Sequence, residues 1–270
     1  MDLLKTIEAK YSPKDIEKLS KKMLERYDTV SSPEQLVRSF ADNFPWYSPS
    51  RDDHREIRSV FNSLMKGYYH NEAFIKSSFI NSKLLNGNHV VVFELPVGDS
   101  RADLCKINGH SYCYEIKTDY DTLARLRKQL SDYSKVFDYV FVICSRKRMP
   151  DVLPLLDDNV GLYVYDGAKE KPAYSLAKES KISNVHDPRM QLGCLSQKEL
   201  QNAFSSNERK ESIIMKELTK SPAFINSVFK KAIKSRYFGK WESFVDKVDE
   251  YKDIDYQFFY KTNYRPSIFY

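Results

Sequence analysis

The sequence predicts an α/β protein in which a mixed β-sheet lies between helical N- and C-terminal regions. Three observations support this. Apolar residues recur at three- and four-residue spacing up to about residue 85, strand-like runs alternate with a helical pattern from 90 to 165, and helical spacing returns after about residue 175. With 41% hydrophobic and 30% charged residues, the 270-residue chain can bury a core. We therefore expect an N-terminal helical region (1–68), an α/β core (69–175) and a C-terminal helical region (176–270).

The helical regions begin and end at recognisable signals. Ser31-Ser-Pro-Glu34 is a typical helix start, because serine caps the first turn and proline is tolerated just inside it. Apolar positions from Arg55 to Lys83 predict a further helical stretch. The C-terminal pattern from Ser212 to Lys247 predicts helices broken near Pro222 and Gly239.

The sequence of the core region predicts the order helix, three strands, helix, strand, short helix and strand. This order is typical of a mixed α/β sheet. The strands are rich in β-branched and aromatic residues, and Asn108-Gly109 is a strong hairpin signal between the second and third. The expected strands are Val90–Leu95, Arg101–Ile107, Ser111–Lys117, Tyr139–Cys144 and Val160–Tyr165, with a helix from about Asp119 to Val136.

Composition also limits the class of protein. A net charge of +6 weakly favours a polyanionic partner such as nucleic acid. The N-terminus carries no signal-peptide pattern, and no apolar run is long enough to span a membrane, so we expect a cytoplasmic protein. The four cysteines form no CxxC pair, which predicts buried or half-buried thiols in a reducing compartment.

The residues with the clearest chemical meaning are Asp103, Glu115 and Lys117. Glu115 and Lys117 lie two apart on a strand, so their side chains share a face. Alone, such a pair is usually a solvated surface ion pair. Asp103 lies on the preceding strand of the same hairpin, and two neighbouring carboxylates form a hard-oxygen site suited to Mg²⁺ or Mn²⁺. A bound metal could polarise a phosphate, and Lys117 could orient water or offset developing charge.

This arrangement restricts the length of the connection in the hairpin. A regular two-residue Asn108-Gly109 turn would place Asp103 opposite Tyr114 and send Glu115 to the other face. We therefore predict a three-residue connection or a bulge, with a positive φ at Gly109.

The following helix offers one polar face. Arg125, Gln129 and Tyr133 recur every four residues, while Leu123, Leu126 and Leu130 supply a packing stripe. A polar stripe is usually only the wet side of a helix. Here it begins close to the Glu115–Lys117 strand and is expected to converge on it.

Taken together, Asp103…Glu115-x-Lys117 resembles the motif of the PD-(D/E)xK nuclease superfamily, and Gln129…Tyr133 resembles the QxxxY motif of its RecB-like branch. The run from Ser100 to Tyr133 is also similar to an uncharacterised bacterial family of that superfamily found in mobile elements and prophages. The resemblance covers about residues 70 to 165. One departure is Ala102, where the superfamily often has proline before the first acid.

The resemblance implies a restriction-endonuclease-like core and a nuclease that binds Mg²⁺ or Mn²⁺. It implies metal ligands at Asp103, Glu115, the Ile116 carbonyl and Glu72, and catalytic roles for Asp103, Glu115, Lys117 and Glu72. Substrate-binding roles are implied for Arg101, Arg125, Gln129 and Tyr133. Glu94, Asp119 and Asp121 also match the smaller family, and we expect Asp119 or Asp121 to cap the helix.

The leading hypothesis is a metal-dependent nuclease acting on DNA in defence, restriction-like or repair processing. One alternative is a nucleic-acid-binding module with a weak or vestigial site, against which the intact Asp103, Glu115 and Lys117 argue. Another is an effector or toxin controlled by a protein partner. A homodimer and the choice between DNA and RNA are left open. The basic and aromatic residues around Lys230–Trp241 favour an amphipathic helix over a second nucleic-acid surface.

Overall fold

A computed structural model describes residues 2–28, 31–50, 53–166 and 172–258. The chain forms two compact units. Of the described residues, the first takes in those up to Asn81 and those from Lys247 to Phe258, and the second comprises Ser82–Asp166 and Ala173–Asp246. In the part of the chain described, no helix has both the length and the apolar character needed to cross a bilayer.

The first unit is helical. Its helices are α1 (Leu3–Lys10), α2 (Pro13–Leu24), α3 (Pro33–Asn43), α4 (Asp53–Tyr68) and α5 (Glu72–Phe79). Ser32 caps α3 in a capping box with Gln35, and Pro33 occupies the first turn, so the predicted helix start is confirmed. The predicted stretch from Arg55 to Lys83 is two helices, because the Asn71 side chain accepts from Phe74 N–H and starts α5 anew.

Helix α4 packs against α1, α2 and α3. Its residues Ile57, Phe61 and Leu64 are almost fully buried. A 3-10 segment, Asp253–Phe258, returns from the C-terminal side of the chain and packs against α4 and α5. The first unit is thus closed by residues distant in sequence.

The second unit is built on a six-stranded mixed sheet in the order β1-β2-β3-β4-β5-β6. Neighbouring strands β1–β3 are antiparallel, β3–β4 and β4–β5 are parallel, and β6 returns antiparallel to β5. The predicted α/β class, mixed sheet and helices at both ends are therefore confirmed. The strands are β1 (Val90–Val97), β2 (Ser100–Ile107), β3 (Ser111–Lys117), β4 (Tyr139–Ser145), β5 (Val160–Tyr165) and β6 (Tyr174–Lys178).

Helices follow the strands and cover the sheet. They are α6 (Leu126–Ser134), α7 (Met149–Val152), α8 (Pro188–Gly193), α9 (Gln197–Phe204), α10 (Lys210–Glu217) and α11 (Pro222–Asp246). Helix α6 packs on β2 and β4, and α11 packs on β1, β2 and α8. The predicted break at Pro222 is confirmed, but the break at Gly239 is wrong, since α11 continues through it. One glycine in a helix costs only about 1 kcal/mol relative to alanine, which burial of Trp241 and Phe244 on the same helix outweighs.

Candidate active site

The β2–β3 hairpin sets the register of the two predicted carboxylates. Ile107 pairs with Ser111, which leaves a three-residue connection of Asn108, Gly109 and His110. Gly109 has a φ of +104°, a conformation that glycine adopts without strain. Both parts of the hairpin prediction are confirmed. Continued from Leu104–Tyr114, this register sets Asp103 opposite Glu115 on one face of the sheet.

Beside the site, side chains take over backbone hydrogen bonds. The β2–β3 ladder reaches Leu104–Tyr114, and beyond it the Ile116 N–H donates to Asp103 Oδ2 at 2.7 Å. The Arg101 carbonyl oxygen accepts from the Tyr133 hydroxyl at 2.8 Å. Asp103 and Tyr133 therefore satisfy backbone groups where the two strands separate, which fixes the orientation of both side chains.

Glu115 and Lys117 form a buried ion pair. Lys117 Nζ donates to Glu115 Oε1 at 2.5 Å. Lys117 is only 8% exposed and Glu115 only 1%. Asp103 is 9% exposed. Burying charge is costly unless the groups are paired, so this is not the solvated surface pair that an isolated Glu-x-Lys usually forms.

Helix α6 completes the hydrogen-bond network. Gln129 Oε1 accepts from Lys117 Nζ at 3.1 Å, and the Tyr133 hydroxyl lies 2.9 Å from Glu115 Oε2. Burial, together with the nearby Cys113 and Glu115, raises the pKa of Tyr133, so the phenol stays neutral and remains a donor. The predicted convergence of Gln129 and Tyr133 on this site is confirmed.

Arg125 directly precedes α6 and is exposed, one turn before Gln129. Its carbonyl accepts from Gln129 N–H at 3.0 Å. This position is open to solvent immediately before the helix that carries Gln129. Its role toward a phosphate stays a prediction.

A family model described as bacteriophage P4 protein cII matches residues 65–257 of the 270. The chain belongs to this family. Among curated proteins, protein cII of Enterobacteria phage P4 is 24% identical over 163 residues, which cover 57% of this chain. The match spans 61% of that relative's own length. No solved structure matches the chain significantly. A phage or mobile-element setting, as predicted, agrees with this family.

The cII family match includes the whole candidate site and also one acidic residue to which the sequence alone assigned no role. Glu94 lies on β1 between the pairs Phe93–Leu104 and Leu95–Ala102, so it faces Asp103 across the β1–β2 ladder. Carboxylate oxygens of Glu94 and Asp103 lie within 4.8 Å of each other. Glu94 has a φ of +54°, which is uncommon for a residue with a side chain. The sequence offered two signals, a lone glutamate in an apolar strand and its match to the smaller family, and neither gave it a role.

Arg101, a predicted substrate-binding residue, forms an ion pair. Its Nε lies 2.5 Å from Glu94 Oε2, and its side chain is 69% exposed. The guanidinium therefore lies at the surface of the sheet, in an ion pair with Glu94. Substrate binding by Arg101 stays a prediction.

The predicted helix cap is wrong. Asp121 Oδ2 accepts from the backbone N–H and hydroxyl of Thr118, while Asp119 accepts from the Ser145 hydroxyl. These bonds fold residues 118–121 into a turn, so α6 begins at Leu126 and not near Asp119. Arg125 precedes the helix without a side-chain cap.

Glu72 is the first residue of α5, in the other compact unit. Its Oε1 lies 2.5 Å from Nζ of the buried Lys76, one turn along the helix. The proposed metal-binding role of Glu72 rests on the sequence resemblance and stays a prediction.

Three of the basic and aromatic residues of α11 are used within the second unit. Lys230 Nζ donates to the buried Asp138, Arg236 pairs with Glu199, and Trp241 is buried. These contacts are those of an amphipathic helix, the interpretation the sequence favoured. The four cysteines are free, with Cys105, Cys113 and Cys144 buried and Cys194 half-buried, as predicted.

Proposed function

We propose that this chain is a divalent-metal-dependent nuclease that hydrolyses phosphodiester bonds, with DNA as the expected substrate. One observation carries the proposal: the buried Glu115–Lys117 pair is held by Gln129 and Tyr133 from α6, with Asp103 on the adjacent strand. Surface ion pairs rarely have such support. A positioned acid pair with a supported lysine is the arrangement expected of a catalytic centre.

The fold supports the same proposal. An antiparallel β1–β3 meander, a helix, and then β4 parallel to β3 follow the β-β-β-α-β part of the α-β-β-β-α-β order of the restriction-endonuclease-like core. We therefore include that core, and membership of the PD-(D/E)xK superfamily, in the proposal. The resemblance of the motifs and the strand order are independent arguments for it.

The residues fit a hard divalent cation. Asp103 and Glu115 provide two buried carboxylates against the single positive charge of Lys117. An excess of buried negative charge is unfavourable, and carboxylate oxygens are the preferred ligands of Mg²⁺ and Mn²⁺. The ligands would be Asp103, Glu115, the Ile116 carbonyl and, by resemblance, Glu72. When bound, such an ion polarises a phosphate oxygen and lowers the pKa of water.

The protein groups have separable roles. Lys117, held between Glu115 and Gln129, can orient the attacking water or offset charge on a phosphate oxygen. Tyr133 orients Glu115, because its single hydroxyl proton is shared between Glu115 Oε2 and the Arg101 carbonyl. Arg125 is exposed beside the site and can bind a neighbouring phosphate with two parallel hydrogen bonds.

Cleavage of supercoiled, linear, nicked and single-stranded DNA with Mg²⁺ or Mn²⁺ tests the proposal. Asp103→Ala should abolish metal binding and cleavage together, because it removes a ligand oxygen. Lys117→Ala should still bind metal but cut about two to four orders of magnitude more slowly, the range for one lost catalytic group. Lys128→Ala, an exposed lysine on α6, is the matched control and should retain activity.

The outcomes separate the alternatives. If wild type and Lys117→Ala cut equally well, the activity does not come from this site and the proposal is wrong. Nucleic-acid binding without cleavage under every metal condition would favour a binding module. Cleavage that appears only after addition of a second protein would favour a partner-controlled effector.

A further inference from the structure

We propose that two loops beside the candidate active site bind a single nucleic-acid strand, with a base stacked on Tyr120 and phosphates held by Arg146 and Lys147. We call this surface the lip and define it as residues 118–125 and 145–148. The inference rests on the proposed function, since it concerns how substrate reaches the same site.

The sheet topology places the lip at the site. Strands β3 and β4 are parallel, and Lys117 pairs with Cys144 at their C-terminal ends. The chain leaving each strand therefore emerges at the same edge of the sheet. Both loops begin within one or two residues of the row that contains Lys117.

Hydrogen bonds connect the two loops. The Ser145 hydroxyl donates to Asp119 Oδ1, and Arg148 Nη2 donates to the Asp121 carbonyl at 2.7 Å. Within the first loop, Thr118 N–H donates to Asp121 Oδ2 at 2.7 Å. A surface held in this way loses little entropy when a ligand binds.

The same bonds engage the acids of the lip with protein donors, and three basic side chains are exposed beside them. Asp119 and Asp121 accept from protein groups, and Asp151 pairs with Arg148. Arg146 and Lys147 are exposed at the tip of the second loop, and Arg125 is exposed at the end of the first. Asp166 follows β5 at this edge and reduces the net charge. Exposed cations on a rigid support suit phosphate groups.

Tyr120 indicates which nucleic acid would bind. Tyr120 is 41% exposed and is one of the large apolar residues at the surface of the described chain. Its backbone N–H donates to the Thr118 hydroxyl at 3.2 Å, which fixes its place three residues after Lys117. An exposed ring can stack on a base of any sequence, but only where that base is not already stacked in a duplex. The lip therefore fits a single strand.

Fluorescence anisotropy with a labelled, mixed-sequence single-stranded DNA tests the inference. Ca²⁺ replaces Mg²⁺ so that the probe is bound with little cleavage. Tyr120→Leu should weaken binding by about tenfold, and Tyr120→Phe should retain it, because only the planar ring is needed. Arg146→Ala/Lys147→Ala should lower the slope of log Kd against log salt by about 1.4, since each phosphate contact on a single strand contributes about 0.7.

Lys18→Ala/Lys22→Ala on α2 removes two exposed charges elsewhere and should leave affinity and salt slope unchanged. Wild type should also bind the single strand more tightly than the same sequence as a duplex. The inference is overturned if the lip and α2 variants have the same affinity and salt slope. It is also overturned if wild type binds the duplex more tightly and Tyr120→Leu has no effect on binding. If the protein cleaves DNA with Mg²⁺ but the lip variants bind the single strand like wild type, the nuclease proposal holds and the lip inference is wrong. If the lip variants weaken binding but no metal supports cleavage by wild type, the lip inference holds and the nuclease proposal is wrong.

Discussion

Tyr133 lies fully buried where β2 and β3 separate, and its hydroxyl contacts both the Arg101 carbonyl and Glu115. Its ring packs on Phe137, which in turn contacts Phe229 of α11. The same side chain thus anchors α6 in the core and orients an acid of the candidate site. Stability and site geometry are therefore coupled at this residue.

We expect Tyr133→Phe to lower the free energy of unfolding by about 1.5–3 kcal/mol, because a buried carboxylate loses a hydrogen bond. Urea denaturation measures this change. Tyr139→Phe, which alters a half-buried tyrosine on β4, should change stability by less than about 0.5 kcal/mol. Any cleavage activity should also fall in Tyr133→Phe. Unchanged stability would mean that the hydroxyl does not support Glu115.

At the scale of elements, Asp138 ties the beginnings of β3 and β4 to α11. Its carboxylate is buried and accepts from Ser111 N–H at 2.8 Å, Asn226 Nδ2 at 2.7 Å and Lys230 Nζ at 3.0 Å. Ring nitrogens of His110 and His186 lie 3.6 Å away. Burial alone raises the pKa of Asp138, but these hydrogen bonds outweigh it and hold the pKa below its ordinary value.

A depressed pKa in the folded state stabilises the protein above the unfolded pKa of about 3.9. That contribution is lost as the pH falls through the folded value. We therefore expect Asp138→Asn to be less stable than wild type by about 1.5–3 kcal/mol at pH 7, and the difference to shrink below about pH 4. Chemical denaturation across this range measures it. Asp158→Asn, at an exposed position, is the control. A difference that does not change with pH would show that the charge of Asp138 is not its source.

Strands were predicted well because their signals are local. The bounds of β3 and β5 agree with the predicted runs, and both strands combine β-branched or aromatic residues with polar flanks. Strand β6 was missed because it is an edge strand, in which only Tyr174 is buried and no alternation appears. The late start of α6 was missed because a turn made by Thr118 and Asp121 competes with the helix.

The contacts of the candidate site followed from register and helical spacing. Gly109 fixed the offset between Asp103 and Glu115, and the four-residue step brought Gln129 and Tyr133 to one side. Neither rule could place Glu94. Its neighbour is decided by the β1–β2 register, and its positive φ is set by the surrounding fold and not by residue type.

At the scale of the whole molecule, the sequence pattern and the packing divide the chain differently. The expected regions divide the chain after residues 68 and 175. The compact units follow packing instead, so α8–α11 join the sheet and residues from Lys247 onward join the N-terminal helices. Such long-range grouping leaves no periodic signal in a single sequence.

The first unit depends on this returning segment. Ile254 and Tyr256 are buried, Asp253 pairs with Lys66 at 2.7 Å, and Asp255 Oδ1 accepts from the Tyr27 hydroxyl at 2.6 Å. Burial raises the pKa of Asp255 to about 6. Because this pKa is above the unfolded value, Asp255 favours folding increasingly as the pH falls from about 6 to 4, the opposite of Asp138.

Truncation after Asp246 should therefore open the first unit. Two large apolar side chains contribute about 1.5–3 kcal/mol each, a sizeable part of the 5–15 kcal/mol typical of whole-domain stability. Hydrogen exchange measured by mass spectrometry should show faster exchange in peptides from α4 and α5, the helices that contact this segment, and in peptides containing Tyr27, which hydrogen-bonds to it. A chain ending at residue 258 keeps these contacts and should exchange more slowly in α4 and α5 than the chain ending at Asp246. If both truncations exchange alike, the returning segment does not hold the first unit together, and its helices are stable through α4 packing alone.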